Sequence, residues 1–389
     1  MLLLRKSQWV IICFISLSSA CRKNYDPPVI EAIHHFLSVD GFVNTGTNAI
    51  SAFTLSRSRN LYDTATDYPA ELNAHLTIMG SSGNSYSLLD TFGTGVYTTA
   101  PLNLDGSQSY KLAITTSDNN QYESDFVFPK PVPKIDSVNW MLTDDPISGE
   151  QINIFVNTHD PNEATHYYRW DFLETYEHIA FFEASWYLVN GLVYPYTNYD
   201  SATYYCYTTL PARNILLGSS IMLSHDVISQ ALINTIPKDD SRLDINYSIL
   251  VRQYPLNEDS YKYWLTIQKN AQSLGGLFDL QPSEIKGNFH SLTQPGTPVL
   301  GYLSAGTVSE KRIFINHSSV PGWRSTIFIS CPLKVALVDP MNYQIYNFYD
   351  PDYGPYYFSG AGLVVAPNIC IDCRLQGGTN HKPDYWGPH

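Results

Sequence analysis

The fold is decided by the stretch Ile245-Asn246-Tyr247-Ser248-Ile249-Leu250-Val251, in which an apolar or aromatic side chain occupies every second position. A period of two places these side chains on one face of a β-strand, because successive strand residues point to opposite sides of the sheet. Ile, Val and Tyr also have high strand propensity. The stretch therefore predicts a central strand of a β-sheet.

The same alternation recurs upstream and predicts a first domain at residues 31–130. The alternating positions lie at 37–39, 53–55, 72–78 and 110–114, separated by Gly- and Asn-containing turns. Pro129, Pro131 and Pro133 follow the last of these strands. They mark a domain boundary, because proline cannot donate a hydrogen bond to a β-ladder.

A second domain is predicted at residues 131–317, where the alternation resumes. Two short helices are predicted within it, one near 224–236 and one near 257–271. Ser224 serves as N-cap and Pro237 as the stop of the first, whereas Asn257 precedes the acidic first turn of the second. Strands at 299–305 and 312–316 are expected to complete this domain.

The predicted fold class is mainly β, with two successive β-sandwiches of immunoglobulin-like or fibronectin-like type. Residues 318–389 are rich in Tyr, Pro and Cys and poor in strand pattern. They are predicted to form an irregular C-terminal tail that packs on the second domain and is fixed by disulfides.

The N-terminus has the pattern of a bacterial lipoprotein signal at residues 1–20. Arg5 and Lys6 precede a short apolar run, and small residues stand directly before Cys21. We expect Cys21 to become the lipidated first residue, followed by a polar tether at 21–30. Leu17 lies four residues before Cys21 and not three, so an ordinary secretory signal is the alternative. The lipid at Cys21 would be the membrane anchor.

Removing residues 1–20 leaves 21 basic and 36 acidic residues, a net charge of −15. This charge repels phosphate backbones, so we expect no nucleic-acid partner. Only 15% of residues are charged, whereas 29 are Tyr, a composition typical of a turn-rich exported β-protein.

Of the six cysteines, Cys13 leaves with the signal and Cys21 is expected to carry the lipid. The other four are disulfide candidates in an oxidising envelope: Cys206, Cys331, Cys370 and Cys373. Four thiols allow three pairings, and the sequence does not choose among them. The spacing of Cys370 and Cys373 also suits zinc or a redox dithiol, although no second pair of cysteines at that spacing accompanies it. We expect at least one of these two to pair with Cys206 or Cys331, a direct 370–373 bridge being the competitor.

Catalytic signatures are not found, and we expect no cofactor. The familiar hydrolase and nucleotide-binding motifs are missing from the sequence. The densest group of oxygen and nitrogen ligands is formed by His159, Asp160, Glu163 and His166, a weak metal-site candidate. Asp160-Pro161-Asn162 is equally good turn chemistry, so we assign no metal there.

Aromatic residues are concentrated between 186 and 207, with Asn and Thr among them. Tyr offers a large rigid contact area at low entropy cost, so these rings suit a ligand or partner surface. Alternation into a sandwich core is the competing interpretation. The candidate contacts are Trp186, Tyr194, Tyr196, Tyr199 and Tyr204.

Several longer motifs resemble a known family. They include residues 37–44, 247–254, 261–264 and 311–315, and the ending Cys370-Ile371-Asp372-Cys373 followed by Lys382-Pro383-Asp384-Tyr385-Trp386. They resemble the Bacteroidota lipoproteins described as domain of unknown function 4249. The resemblance implies an outer-membrane lipoprotein, frequently encoded beside a TonB-dependent receptor, and no catalytic residues to transfer.

The leading hypothesis is therefore a non-catalytic, lipid-anchored outer-membrane protein that assists a TonB-dependent receptor by binding ligand or docking on it. One alternative is an envelope hydrolase acting on glycan or peptide. Another is a structural or adhesive cell-surface protein. Whether the protein faces the periplasm or the exterior stays open.

Overall fold

The computed structural model describes residues 35–59, 69–196, 203–272, 285–323, 330–339, 341, 343–345 and 350–387. Residues 1–34, which include the predicted signal, Cys21 and the predicted tether, lie outside this part of the chain. The fold is mainly β, as predicted, with 23 described strands and few helical segments.

The first sandwich consists of two five-stranded sheets. One contains β1 (Leu37–Asn44), β2 (Ala52–Arg57), β5 (Val96–Thr98), β18 (Leu300–Gly301) and β19 (Ser304–Gly306). The other contains β3 (His75–Gly80), β4 (Ser85–Leu88), β6 (Tyr110–Thr115), β7 (Gln121–Ser124) and β17 (Phe289–Ser291). Alternate residues of both sheets, such as Val39 and Ile78, meet in one buried core.

The second sandwich packs a five-stranded sheet against a three-stranded one. The larger sheet contains β10 (Tyr167–Ile179), β13 (Tyr205–Pro211), β14 (Leu216–Ser219), β16 (Asn246–Leu256) and β20 (Ser309–Asn316). The smaller contains β8 (Ile135–Asp145), β9 (Gly149–His159) and β15 (Val227–Pro237). Strand β16 lies between β10 and β20 and buries Tyr247, Ile249 and Val251, as the alternation predicted.

A third unit is formed by two smaller elements. A hairpin of β11 (Trp186–Val189) and β12 (Leu192–Pro195) faces a sheet of β21 (Lys334–Ala336), β22 (Tyr353–Ser359) and β23 (Gly362–Pro367). The irregular tail predicted for 318–389 is therefore wrong in this part, because β-branched and aromatic residues of β22 and β23 pair into a regular ladder.

Two α-helices are described, α1 (Glu258–Gln272) and α2 (Asn368–Ile371), together with short 3-10 helices at Ser241–Leu243, His317–Ser319 and Cys373–Gln376. Helix α1 confirms the prediction near 257–271. The Asn257 side chain accepts a hydrogen bond from the backbone N–H of Ser260 at 2.7 Å, as an N-cap does. No helix among the described residues is long and apolar enough to cross a membrane.

The helix predicted near 224–236 is wrong, because this range forms β15. Two bulges interrupt its pairing with β9, and they space the buried residues Ile228, Ile233 and Ile236 five and three positions apart. Gln230, in the first bulge, has a positive φ of 53°. The bulges thus interrupt the period of two by which a strand would have been recognised in the sequence.

The assignment of 299–305 to the second sandwich is also wrong. Strands β18 and β19 run parallel to β1, and β17 pairs with β7, so residues 289–306 return to the first sandwich. Only β20, in the predicted 312–316 region, joins the second. Alternation predicts a strand, but it does not indicate which sheet will receive it.

Candidate ligand-binding site

The aromatic segment singled out by the sequence folds as the β11–β12 hairpin. Asn190 and Gly191 both have positive φ, 51° and 81°, which is the backbone of a tight two-residue hairpin turn. This turn sets Tyr187 opposite Tyr194, with ring centroids 5.7 Å apart. The Tyr187 ring also lies 4.9 Å from that of Tyr196. The hairpin therefore presents a group of Tyr rings, of which Tyr187 is 37% exposed.

The sheet of β21, β22 and β23, together with α2, faces the hairpin. The hairpin and this C-terminal sheet form the two walls of a cleft. Backbone hydrogen bonds join the two walls, from the N–H of Ser185 to the carbonyl of Tyr356 and from the N–H of Phe182 to the carbonyl of Cys370. The Phe182 and Tyr356 rings stack 4.7 Å apart at the same junction. The position of each wall is thus fixed by the other.

Between these walls lies a cleft of about 370 Å³, which we call the aromatic cleft. Its volume is within the range of about 300–1,000 Å³ typical of small-molecule sites. The residues that line it include Trp186, Tyr187, Tyr196, Asp350, Tyr353, Asn368, Asp372 and Arg374. Aromatic rings thus stand beside carboxylate, amide and guanidinium groups.

The ionic groups at the cleft are arranged as pairs. Arg374 contacts Asp372 at 2.6 Å, and the hydrogen bonds that the guanidinium donates to this carboxylate raise the pKa of Arg374. Asp350 contacts Lys334 at 3.1 Å, and this hydrogen bond raises the pKa of the Lys334 ammonium group. The Lys334 nitrogen also lies 3.8 Å from the centroid of the Tyr353 ring, a cation–π geometry.

Two disulfides anchor the C-terminal wall. Cys206 of β13 pairs with Cys373, and Cys331 pairs with Cys370. Cys370 and Cys373 are therefore each bonded to a distant cysteine, which is the long-range form that the sequence favoured over a direct bridge. Asp372 lies between the two anchored cysteines, so its backbone is restrained by a disulfide on either side.

The predicted aromatic contacts separate into three groups. Trp186 and Tyr196 line the cleft. Tyr194 instead packs on Tyr187, and Tyr204 packs beside the Cys206–Cys373 disulfide, where burial raises the pKa of its hydroxyl. Tyr199 lies outside the described residues. Some rings of the segment thus line the cleft and others pack in small clusters outside the two sandwich cores, and a ligand-binding role for the former stays a prediction.

The weak metal-site candidates His159, Asp160, Glu163 and His166 do not converge on one point. Asp160 accepts hydrogen bonds from backbone N–H groups of its own turn, as the turn interpretation required. The nearest carboxylates to His159 and His166 are those of Asp136 and Asp226, and Glu163 bonds His225. In the described part of the chain, no group of three or more His, Cys, Asp or Glu is placed to hold a metal ion.

The polar residues of the cleft were not predicted. Asn368 lies in α2, where its side-chain amide donates to the carbonyl of Pro351 at 2.8 Å, and Asp350 precedes β22. These residues are far in sequence from the hairpin, so no local pattern connects them with Trp186. Asp372 had one available signal, its position between two cysteines expected to form disulfides.

Residues 22–312 match a family model described as domain of unknown function (DUF4249), so the chain belongs to this family. The matched range includes the first sandwich, the hairpin and the second sandwich as far as the middle of β20, and it ends before β21 and the C-terminal wall of the aromatic cleft. No curated protein matches this chain.

Proposed function

We propose that the protein is a non-catalytic, lipid-anchored outer-membrane protein that captures a small polar ligand in the aromatic cleft and delivers it to a TonB-dependent receptor. The observation that carries ligand capture is the cleft itself, which combines aromatic residues, among them the partly exposed Tyr187, with convergent polar groups. Two disulfides hold one of its walls, so the site is formed before ligand arrives.

A binding role is favoured over catalysis by the state of the two carboxylates at the cleft. Asp350 and Asp372 are each held by a cation, Lys334 and Arg374 respectively. Such pairing fixes the position of each carboxylate as an acceptor for hydrogen bonds from a bound ligand. No catalytic signature in the sequence assigns either group a role in proton transfer.

The anchor and the receptor are supported by the sequence. The signal pattern before Cys21 supports lipidation, and family membership supports the receptor association that the resemblance implies. Affinity purification of the native protein from detergent, with mass spectrometry, tests the receptor. We expect a TonB-dependent barrel to co-purify with the wild type. Recovery of the lipoprotein without a barrel would contradict this part of the proposal.

Ligand capture is tested by thermal-shift screening of small polar compounds against the purified protein. We expect a stabilising ligand whose effect is lost in Tyr187→Ala, because that ring is exposed in the cleft. Val189→Ala is the matched control, since Val189 lies on the same strand and is exposed but does not line the cleft. A ligand that stabilises wild type and Tyr187→Ala equally would show that the cleft is not the capture site.

A further inference from the structure

The charge balance and ring geometry of the aromatic cleft indicate which class of ligand it takes, an inference that rests on the proposed function. Among the described residues, the charged ones that line the cleft are Asp350, Asp372 and Arg374. Lys334 pairs with Asp350 from beside the cleft, so these two carboxylates are matched by two cations and the net charge of the four groups is zero. A charged ligand would lose hydration on entry and find no uncompensated partner among these four groups.

The pairing leaves hydrogen-bonding capacity unused. Asp372 accepts three hydrogen bonds from Arg374, through its backbone N–H, Nε and Nη2. A carboxylate has about four lone-pair sites and a guanidinium has about five N–H donors, so both retain free positions. A hydroxyl group can donate to the first and accept from the second at the same time. The pair thus suits a ligand with many hydroxyls.

The rings add a second requirement. Trp186 stacks on Tyr343 with centroids 6.0 Å apart and meets Phe358 edge-on at 4.8 Å, which fixes its orientation. Tyr187 keeps more than a third of its surface exposed on the same hairpin. The face of an aromatic ring is electron-rich and attracts polarised C–H groups. A ligand must therefore carry C–H faces as well as hydroxyls.

We propose that the aromatic cleft binds a neutral carbohydrate, a short oligosaccharide without carboxylate, sulfate or amino groups. Sugar rings present C–H faces for Tyr187 and hydroxyls for Asp372, Arg374 and Asn368. A neutral sugar enters without disturbing either ion pair. One ligand would then contact both the aromatic residues and the polar residues of the cleft.

Isothermal titration calorimetry tests the inference with neutral gluco-, galacto-, manno- and xylo-trioses, their uronic-acid and sulfated counterparts, and neutral tripeptides. We expect at least one neutral triose to bind, and its charged counterpart to bind about tenfold more weakly because of uncompensated desolvation. Tyr187→Ala should weaken the neutral triose by about tenfold through loss of a ring face, whereas Val189→Ala should not.

A second variant tests the charge balance itself. Asp372→Asn keeps a side-chain oxygen for the Arg374 N–H but leaves the guanidinium without its carboxylate. We expect the charged counterpart to gain about tenfold relative to the neutral triose in this variant, because it can now pair with Arg374.

The results separate the inference from the function on which it rests. If a charged glycan or a peptide binds better than every neutral triose and is lost in Tyr187→Ala, the cleft captures ligand but the carbohydrate inference is wrong. If no compound in the set shows Tyr187-dependent binding and the wider screen finds none, both fail.

Discussion

The two sandwiches and the unit around the aromatic cleft differ in what holds them together. Among the described residues, the sandwich cores contain 20 and 18 buried hydrophobic residues, whereas the two clusters behind the cleft contain four and three. Both disulfides involve the C-terminal wall of the cleft. A small core cannot offset the entropy of ordering its chain, so covalent links take its place. The proposed binding surface is thus the part of the molecule stabilised least by burial.

The largest effect is expected from truncating a core residue of the second sandwich. Trp170 is 2% exposed, and its indole N–H donates to Gln253 at 2.8 Å. Trp170→Ala should lower the free energy of unfolding by about 3–5 kcal/mol, from lost burial and the cavity left behind. Urea denaturation followed by circular dichroism measures it. The exposed Phe92, truncated as Phe92→Ala, is the control, and equal losses in the two variants would contradict this view of the core.

A smaller and local effect is expected from removing the Cys206–Cys373 disulfide, which closes the longer of the two loops. Cys206 and Cys373 are 167 residues apart, so their bond restrains a large loop in the unfolded chain. The double substitution to Ser should destabilise the C-terminal wall by about 2–4 kcal/mol and leave the sandwich cores folded. Limited proteolysis should then cleave after residue 330 while the sandwiches resist. Simultaneous digestion of all three units would show that this disulfide does not stabilise the C-terminal wall separately from the sandwiches.

The sequence predicted the sandwiches better than the cleft, for a physical reason. A sandwich strand reveals its buried face through local alternation, as β16 does at Tyr247 and Ile249. The bulges in β15 interrupted this alternation, because each extra residue shifts the buried positions by one. The cleft arises where Trp186 meets Asn368, and such distant contacts leave no periodic trace. Only the cysteines indicated that the C-terminal residues were fixed.

Residues 373–387, which we call the C-terminal segment, pack on the second sandwich, and Gly378 lies at this contact. A Cβ added there would lie 2.5 Å from Nε2 of His178 and 2.8 Å from Cβ of Cys206. Gly378→Ala should therefore cost about 1–3 kcal/mol in local stability through overpacking. Faster amide hydrogen exchange at Tyr207 and Thr379, which pair in a β-bridge, reports the loss. Gly360→Ala is the control because nothing lies within 4 Å of its added Cβ, and an equal change there would refute the packing argument.

The smallest expected effect is a pH dependence of the same contact. Burial lowers the pKa of His178 from its ordinary 6.5, although the charge of Glu177 acts in the opposite direction. His178 bonds Thr208 at 3.0 Å, and the Thr208 hydroxyl donates to the carbonyl of Gly377, so the imidazole supports the docked segment.

Because the folded pKa lies below the unfolded one, the unfolded chain binds more protons between the two values. The contribution of His178 is therefore complete above pH 6.5 and is lost as the pH falls from there towards the folded pKa. The measurement is the rate of proteolysis at the C-terminal segment in wild type and in His178→Gln, at about pH 7.5 and about pH 5.5. The ratio of the two rates at each pH cancels the pH response of the protease, so a change in the ratio reports on His178. The advantage of the wild type should shrink at the lower pH. His159→Gln is the control, because Asp136 raises the pKa of the exposed His159 and that residue does not touch the segment. A wild-type advantage that is constant or grows with acid would show that neutral His178 does not secure the C-terminal segment.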